Sequence, residues 1–175
     1  MKELILIRHA KSSWSNPLLE DFERPLNKRG AKNAPFMAKV LKQKEINPDL
    51  IISSPSKRTK DTLDFFIKEF DYKGEIIFEE SIYEAPYINI LKVIKNIDDK
   101  HKTIFLFGHN PGFNDLADFL LGRFEDNIPT CGVLKLNFNI SKWEDIKDIP
   151  QHEFKRSLLR FVDMYEFWHT ALKRM

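Results

Sequence analysis

Leu4-Ile5-Leu6-Ile7-Arg8-His9-Ala10 is the stretch that decides the fold. Four consecutive apolar residues with no polar alternation read as a strand covered on both faces, the environment of a parallel sheet. The run then ends abruptly on a guanidinium and an imidazole. Two further segments repeat this design: Ile51-Ile52-Ser53-Ser54-Pro55-Ser56-Lys57-Arg58-Thr59 and Phe105-Leu106-Phe107-Gly108-His109-Asn110-Pro111-Gly112. If the three strands are parallel neighbours, their turns open together at the carboxyl edge of one sheet, where open α/β sheets bind ligands.

The intervening segments fit that frame. Residues 30 to about 43 place Ala34, Met37, Ala38 and Leu41 on one helical face. Leu50 to Ser53 is a strand, and Ser54-Pro55 reads as an N-cap followed by proline in the first turn of a helix. That helix carries Leu63, Phe66, Ile67 and Phe70 on one stripe. Glu75 to Phe78 is a further strand, Ile90 to Ile97 a short helix and Thr103 to Phe107 the next strand. A helix with Phe113, Leu116, Ala117 and Leu120 on one face follows. Val133 to Phe138 alternates apolar and polar residues, as a strand exposed on one side does. The tail has two readings. Phe154, Leu158, Phe161, Tyr165, Trp168 and Leu172 recur at helical spacing, yet Leu158 to Val162 also suits a last strand with a short helix after it. Strand and helix in alternation predict an α/β fold: a three-layer sandwich with a mainly parallel central sheet flanked by helices.

The 175 residues suffice for a single domain, 1–175, with a sizeable core. Neither repeats nor a composition break divide them. A net charge of +2 gives no reason to expect nucleic acid or a membrane as partner. The N-terminal apolar run is too short for a signal peptide or a span, so a cytoplasmic location is the expectation. One cysteine, Cys131, excludes an internal disulfide and is expected to be a small buried apolar group.

Arg8, His9, Arg58 and His109 are the residues that the three strand ends bring together. Two guanidinium forks suit the equatorial oxygens of a dianionic phosphoryl group. Helix N-termini after residues 55 and 111 add backbone N–H groups to the same pocket. A neutral imidazole can attack phosphorus in line, and a second can donate to a phosphoryl oxygen as charge shifts. Such chemistry runs on positioning and electrostatics, so no cofactor is implied. A zinc site is disfavoured, because neither histidine has a second ligand at local spacing and two arginines would repel the ion.

The motifs Arg8-His9-Ala10-Lys11-Ser12-Ser13-Trp14, Arg24-Pro25-Leu26-Asn27-Lys28-Arg29-Gly30, Ser54-Pro55-Ser56-Lys57-Arg58-Thr59 and Gly108-His109-Asn110-Pro111-Gly112 resemble the histidine phosphatase superfamily, the phosphoglycerate mutase-like fold. The resemblance is closest to its small SixA-like phosphohistidine phosphatase branch, and Thr130-Cys131-Gly132-Val133 adds a weaker match. It covers residues 1 to about 143 well and the tail loosely. It implies His9 as nucleophile and Arg8, Arg58 and His109 as the phosphate pocket. It also implies a metal-independent phosphatase acting through a phosphohistidine intermediate. Ala10 departs from the glycine of most members, and Ser15 from a phosphate-binding asparagine of the mutases. Larger members use a carboxylic acid to protonate the leaving oxygen, and Glu84 is the candidate general acid here, with a solvated loop carboxylate as its other reading.

The expected partner is a phosphorylated protein bearing phosphohistidine, or a small phosphorylated substrate. A small-molecule phosphomonoesterase and a non-catalytic phosphate-recognising module are the alternatives. His101 is expected in a solvated turn, and His152 and His169 carry no motif. The oligomeric state is not legible from the sequence.

Overall fold

The computed structural model describes residues 1–147 and 155–159. Six strands, β1 (Lys2–Arg8), β2 (Leu50–Ser53), β3 (Ile76–Phe78), β4 (Thr103–Gly108), β5 (Val133–Phe138) and β6 (Lys155–Leu159), form one sheet in the order β3-β2-β4-β1-β5-β6. The first four are mutually parallel, β5 runs antiparallel to β1, and β6 antiparallel to β5. Four α-helices connect them among the described residues: α1 (Lys28–Gln43), α2 (Lys57–Phe70), α3 (Tyr87–Lys95) and α4 (Gly112–Leu121).

The unbroken apolar runs have a direct explanation. Successive strand residues point to opposite faces, and both faces are covered. Ile5, Ile7, Ile51, Phe105 and Phe107 pack with Ala34, Met37, Leu41, Leu63 and Phe66 of α1 and α2. Leu4, Leu6, Ile52, Ile104 and Leu106 pack with Ile90, Ile94, Phe113, Leu116 and Leu120 of α3 and α4. The layers are therefore helix, sheet, helix, as the alternation of elements predicts. Inserting β4 between β1 and β2 leaves a crevice at the carboxyl ends of these three strands.

Several boundaries differ from the sequence reading. Helix α2 starts at Lys57 with Ser56 at its N-cap, not at Ser54-Pro55. Ser56 still has extended backbone (φ −61°, ψ 149°), while the Ser54 hydroxyl holds the turn before it, bonded to His109 and accepting from Ser56 N at 3.5 Å. Helix α1 begins earlier than residue 30, because the Asn27 side chain caps it by accepting from Gly30 N. Helix α3 spans Tyr87–Lys95 rather than Ile90 to Ile97, entered through the extended backbone of Pro86. Strand β5 has no exposed face: Lys135 and Asn137 are half-buried, and Lys135 lies across β1 onto Glu3 at 2.9 Å. His101 is not solvated either. Its ring lies between Asp49 and Glu75, and its carbonyl accepts from Lys2 Nζ and Trp143 Nε1. The last strand falls at Lys155–Leu159, overlapping the expected Leu158 to Val162 only at its start. The expected helix after it, with Tyr165 and Trp168, and His152 and His169 lie outside the described residues.

Candidate active site

The sheet ladder brings the three motifs to one level. Arg8 is opposite Gly108 and Ser53 opposite Phe107 in register. Past the strand ends, His9 N still donates to Gly108 O (3.1 Å) and Ser54 N to Phe107 O (3.0 Å). Cys131 N donates to both Arg8 O and His9 O, so the turn after β1 is fixed from the β5 side as well. From the helix side, Thr62 Oγ1 accepts from Ala10 N at 2.9 Å and donates to Arg58 O at 2.7 Å. Arg58, in the first turn of α2, thereby shares a rigid support with the residue after His9.

His9 has a defined tautomer. Its Nδ1 lies 2.8 Å from the Ala10 carbonyl oxygen. A carbonyl only accepts, so Nδ1 carries the hydrogen and Nε2 keeps its lone pair. Arg58 Nε–H points at that lone pair from 3.4 Å. Burial, followed by the charges of Arg58, Arg8 and Arg24, pulls the His9 pKa down to about 4 against the opposing Ala10 hydrogen bond. The ring is therefore neutral and nucleophilic at neutral pH.

The His109 ring centroid is 5.2 Å from that of His9. Its Nε2 is 2.7 Å from Ser54 Oγ, and its Nδ1 is 3.5 Å from Arg58 Nη2. A guanidinium cannot accept, so Nδ1 is the free acceptor and Nε2–H donates to Ser54. Burial, then His9 and Arg58, lower its pKa to about 2. An anion placed between these groups opposes that effect and favours the protonated ring, whose Nδ1–H can then donate to it.

Arg8 Nη1 donates to Ile128 O at 2.9 Å, while its Nε is buried without a partner. Burial lowers the Arg8 pKa from its ordinary value. A buried N–H left open costs stability unless a ligand satisfies it, and an oxyanion is the acceptor that suits a cation. Arg58, 1% exposed, donates from Nη1 to Asp21 O (2.6 Å) and from Nη2 to Asp21 Oδ2 (3.0 Å) and Glu84 Oε1 (3.1 Å). All four predicted pocket residues are thus brought together.

Glu84 is at the same site but in a different posture from that of a ready proton donor. Its side chain is half exposed, its backbone is left-handed (φ 45°), and its carboxylate accepts from Arg58. Three residues at the site escaped the sequence reading as functional groups: Asp21, Tyr83 and Arg24. Asp21 Oδ2 accepts from the Tyr83 hydroxyl at 2.6 Å, and Arg24 Nε donates to Asp21 Oδ1 at 2.9 Å. Burial works against ionisation of Asp21, but Tyr83, Arg24 and Arg58 outweigh it and hold the carboxyl well below the usual carboxylate range. Burial and the Asp21 carboxylate push the Tyr83 hydroxyl up to about 12. The only local signal for Asp21 is its place three residues before the Arg24-Pro25-Leu26 motif.

Residues 4–106 match the model of the histidine phosphatase superfamily, branch 1. An uncharacterised chloroplastic protein of Arabidopsis thaliana is 32% identical over 153 residues, covering 82% of this chain and 70% of that protein. The structure of the protein histidine phosphatase SixA complexed with tungstate superimposes with a TM-score of 0.79 at 14% identity, over 93% of this chain and 99% of that one. A chain from Agrobacterium tumefaciens named for SixA phosphohistidine phosphatase gives 0.78 at 24% identity, over 91% and 97%. The two structural likenesses show a shared fold. The family match is independent of them; it takes in Arg8, His9 and Arg58 and stops just short of His109. More than half of the chain follows that model, and so the chain belongs to the histidine phosphatase superfamily.

Proposed function

We propose that the protein is a phosphatase in which His9 Nε2 is the nucleophile, acting on phosphohistidine carried by a protein. The observation that carries this reading is the tautomer of His9: Nδ1–H held by the Ala10 carbonyl, Nε2 unprotonated and directed at the Arg58 side of the pocket. In the first step Nε2 bonds to phosphorus as the bond from phosphorus to the leaving group breaks. The leaving group keeps that electron pair. In the second step water attacks phosphorus, the bond to Nε2 breaks with its electron pair returning to the ring, and inorganic phosphate leaves carrying both protons of the water. Arg8 Nε and the Arg58 fork bind the equatorial oxygens through both steps, and His109 Nδ1 donates once the dianion has favoured its protonation.

The leaving group decides between substrate classes. An alkyl phosphate needs a protonated acid beside the departing oxygen. Both carboxylates at the pocket, Asp21 and Glu84, accept hydrogen bonds from Arg58, and Asp21 is held ionised. This arrangement favours a leaving group that departs without a strong acid, such as the imidazole of phosphohistidine. Rapid quench with labelled phosphoramidate substrate, followed by mass spectrometry under alkaline conditions, tests the reading. Label on the peptide containing His9 is expected. Label on His109, or no label when hydrolysis of the intermediate limits the rate, would overturn it.

A further inference from the structure

Arg8 and Arg58 reach the pocket from opposite faces of the sheet. Side chains alternate along a strand, so Arg8 projects to the side of Leu4 and Leu6, where α3 and α4 pack, whereas Arg58 comes from α2 on the other side. The Arg8 guanidinium is held by a loop carbonyl, Ile128 O, at 2.9 Å from Nη1. Ile128 belongs to residues 122–132, which form neither helix nor strand between α4 and β5.

Two asparagines from the turn that carries His109 fix both backbone groups of Ile128. Asn114, in the first turn of α4, accepts from Ile128 N through Oδ1 at 3.0 Å. Asn110 Nδ2 donates to Ile128 O at 2.9 Å, beside Arg8 Nη1. Asn127 Oδ1 ties the pair together, accepting from Asn110 Nδ2 at 3.0 Å and from Asn114 Nδ2 at 2.6 Å. The backbone decides all three amide orientations. Ile128 N–H only donates, so Asn114 presents Oδ1 to it and Nδ2 to Asn127, which must then present its own oxygen. Asn110 is thereby left with its Oδ1 buried and unpartnered. An open buried acceptor costs stability, and burial of the Ile128 side chain at 0% exposed already holds the loop in place. What the amides add is the direction of the Ile128 carbonyl, and the charged group that carbonyl faces is Arg8.

We infer that Asn114 and Asn127, with Asn110 between them and the pocket, are positioning residues that aim Arg8 at the phosphoryl group by fixing the Ile128 carbonyl. The inference rests on the phosphoryl pocket described above. A guanidinium is planar, so anchoring Nη1 sets where the open Nε–H points. Asn110 follows His109 directly, and Phe113 N donates to His109 O in the same turn. Arg8 and His109 therefore share one support, although they arrive on different strands.

The test is a cycle of variants, read by tungstate affinity in calorimetric titration and by kcat/KM for phosphoimidazole. Asn114→Ala is expected to weaken both by about tenfold, the size of one or two lost hydrogen bonds. Asn127→Ala, at an exposed position, should give a smaller loss of the same kind and serves if Asn114→Ala folds poorly. Arg8→Lys keeps the charge, so the anion still binds, but removes the planar fork, with an expected loss of at least about tenfold. In the Arg8→Lys background the asparagine substitution should cost no more than about twofold, because the group it acts through is gone. Losses that add in full, with Arg8→Lys itself damaging, would overturn the positioning role alone. Arg8→Lys that bound tungstate as tightly as the wild type would sink the reading of Arg8 as a phosphoryl clamp, and the inference with it. Coupled losses in tungstate binding by a protein that leaves phosphoimidazole intact would support the positioning role and overturn the phosphatase reading.

Discussion

At the scale of single residues, the site depends on planar, fixed donors. Arg58 meets His9 through Nε, the Asp21 carbonyl through Nη1, and the Asp21 carboxylate, Glu84 and His109 through Nη2 of one guanidinium. An ammonium at the end of a flexible stem cannot hold those directions together. Arg58→Lys is accordingly expected to lower kcat by about 10²–10³-fold, measured on an aryl phosphate. Asp21→Asn keeps the backbone carbonyl for Arg58 Nη1 but removes the carboxylate that Arg24, Arg58 and Tyr83 share. Loss of charge-assisted hydrogen bonds of ~1.5–3 kcal/mol gives an expected fall of about 10–100-fold in kcat/KM, with Asp21→Glu restoring part of it. Glu84→Gln separates an acid from a carboxylate that only accepts. An acid would show as a loss that grows with the pKa of the leaving group across a series of phosphate esters; the arrangement around Arg58 predicts a small loss that is the same throughout. Arg8, His9, Arg58 and His109 were legible because each ends an apolar run or opens the helix after one. Asp21 was not, because its meaning lies in partners 37 and 62 positions away, and nothing in residues 15–23 distinguishes it from a solvated acid.

Among the elements, the strands read more clearly than the helix starts, for a physical reason. A strand covered on both faces must be apolar throughout, and that shows in any window of residues. A helix start depends on where the backbone leaves the extended region, and Ser56, two residues past Ser54, is still extended. Helix α4 illustrates how closely elements approach at the pocket. A Cβ on Gly112 would lie 2.4 Å from the Ala85 carbonyl oxygen, one residue after Glu84. Gly112→Ala must therefore push the N-terminus of α4 away from the loop that follows β3. A destabilisation of about 1–3 kcal/mol is expected, read from urea unfolding, together with reduced turnover because His109 precedes that helix. The tail was ambiguous because Leu158 lies in both an amphipathic helical pattern and a strand pattern; pairing with β5 resolves it for Lys155–Leu159 through contacts that no local window contains.

For the whole molecule, the two buried imidazoles link stability to pH. Their folded-state pKa values, about 4 for His9 and about 2 for His109, lie below the ordinary 6.5. In acid the unfolded chain therefore binds protons that the folded chain refuses. Stability is fully present above about pH 6.5 and falls as pH drops towards 4, with a slope approaching two protons. Asp21 shifts the other way relative to its charge, so its contribution persists until pH falls below its ordinary 3.8. Urea midpoints at pH 7.5, 6 and 5 check this, and an unchanged midpoint would show that the rings are solvated. Sulfate keeps its charge over that range and should bind more tightly at pH 5 than at pH 7.5, because an anion in the pocket draws a proton onto His109.

Cys131 sits 0% exposed beneath the turn that carries His9, and burial pushes its thiol up to about 12. Oxidants and alkylating agents attack thiolates, not buried thiols. A phosphatase with a thiolate nucleophile is silenced when peroxide rises; with His9 as the nucleophile, as proposed, and its one cysteine sealed in this way, this chain is expected to keep removing phosphate through the same oxidative episode.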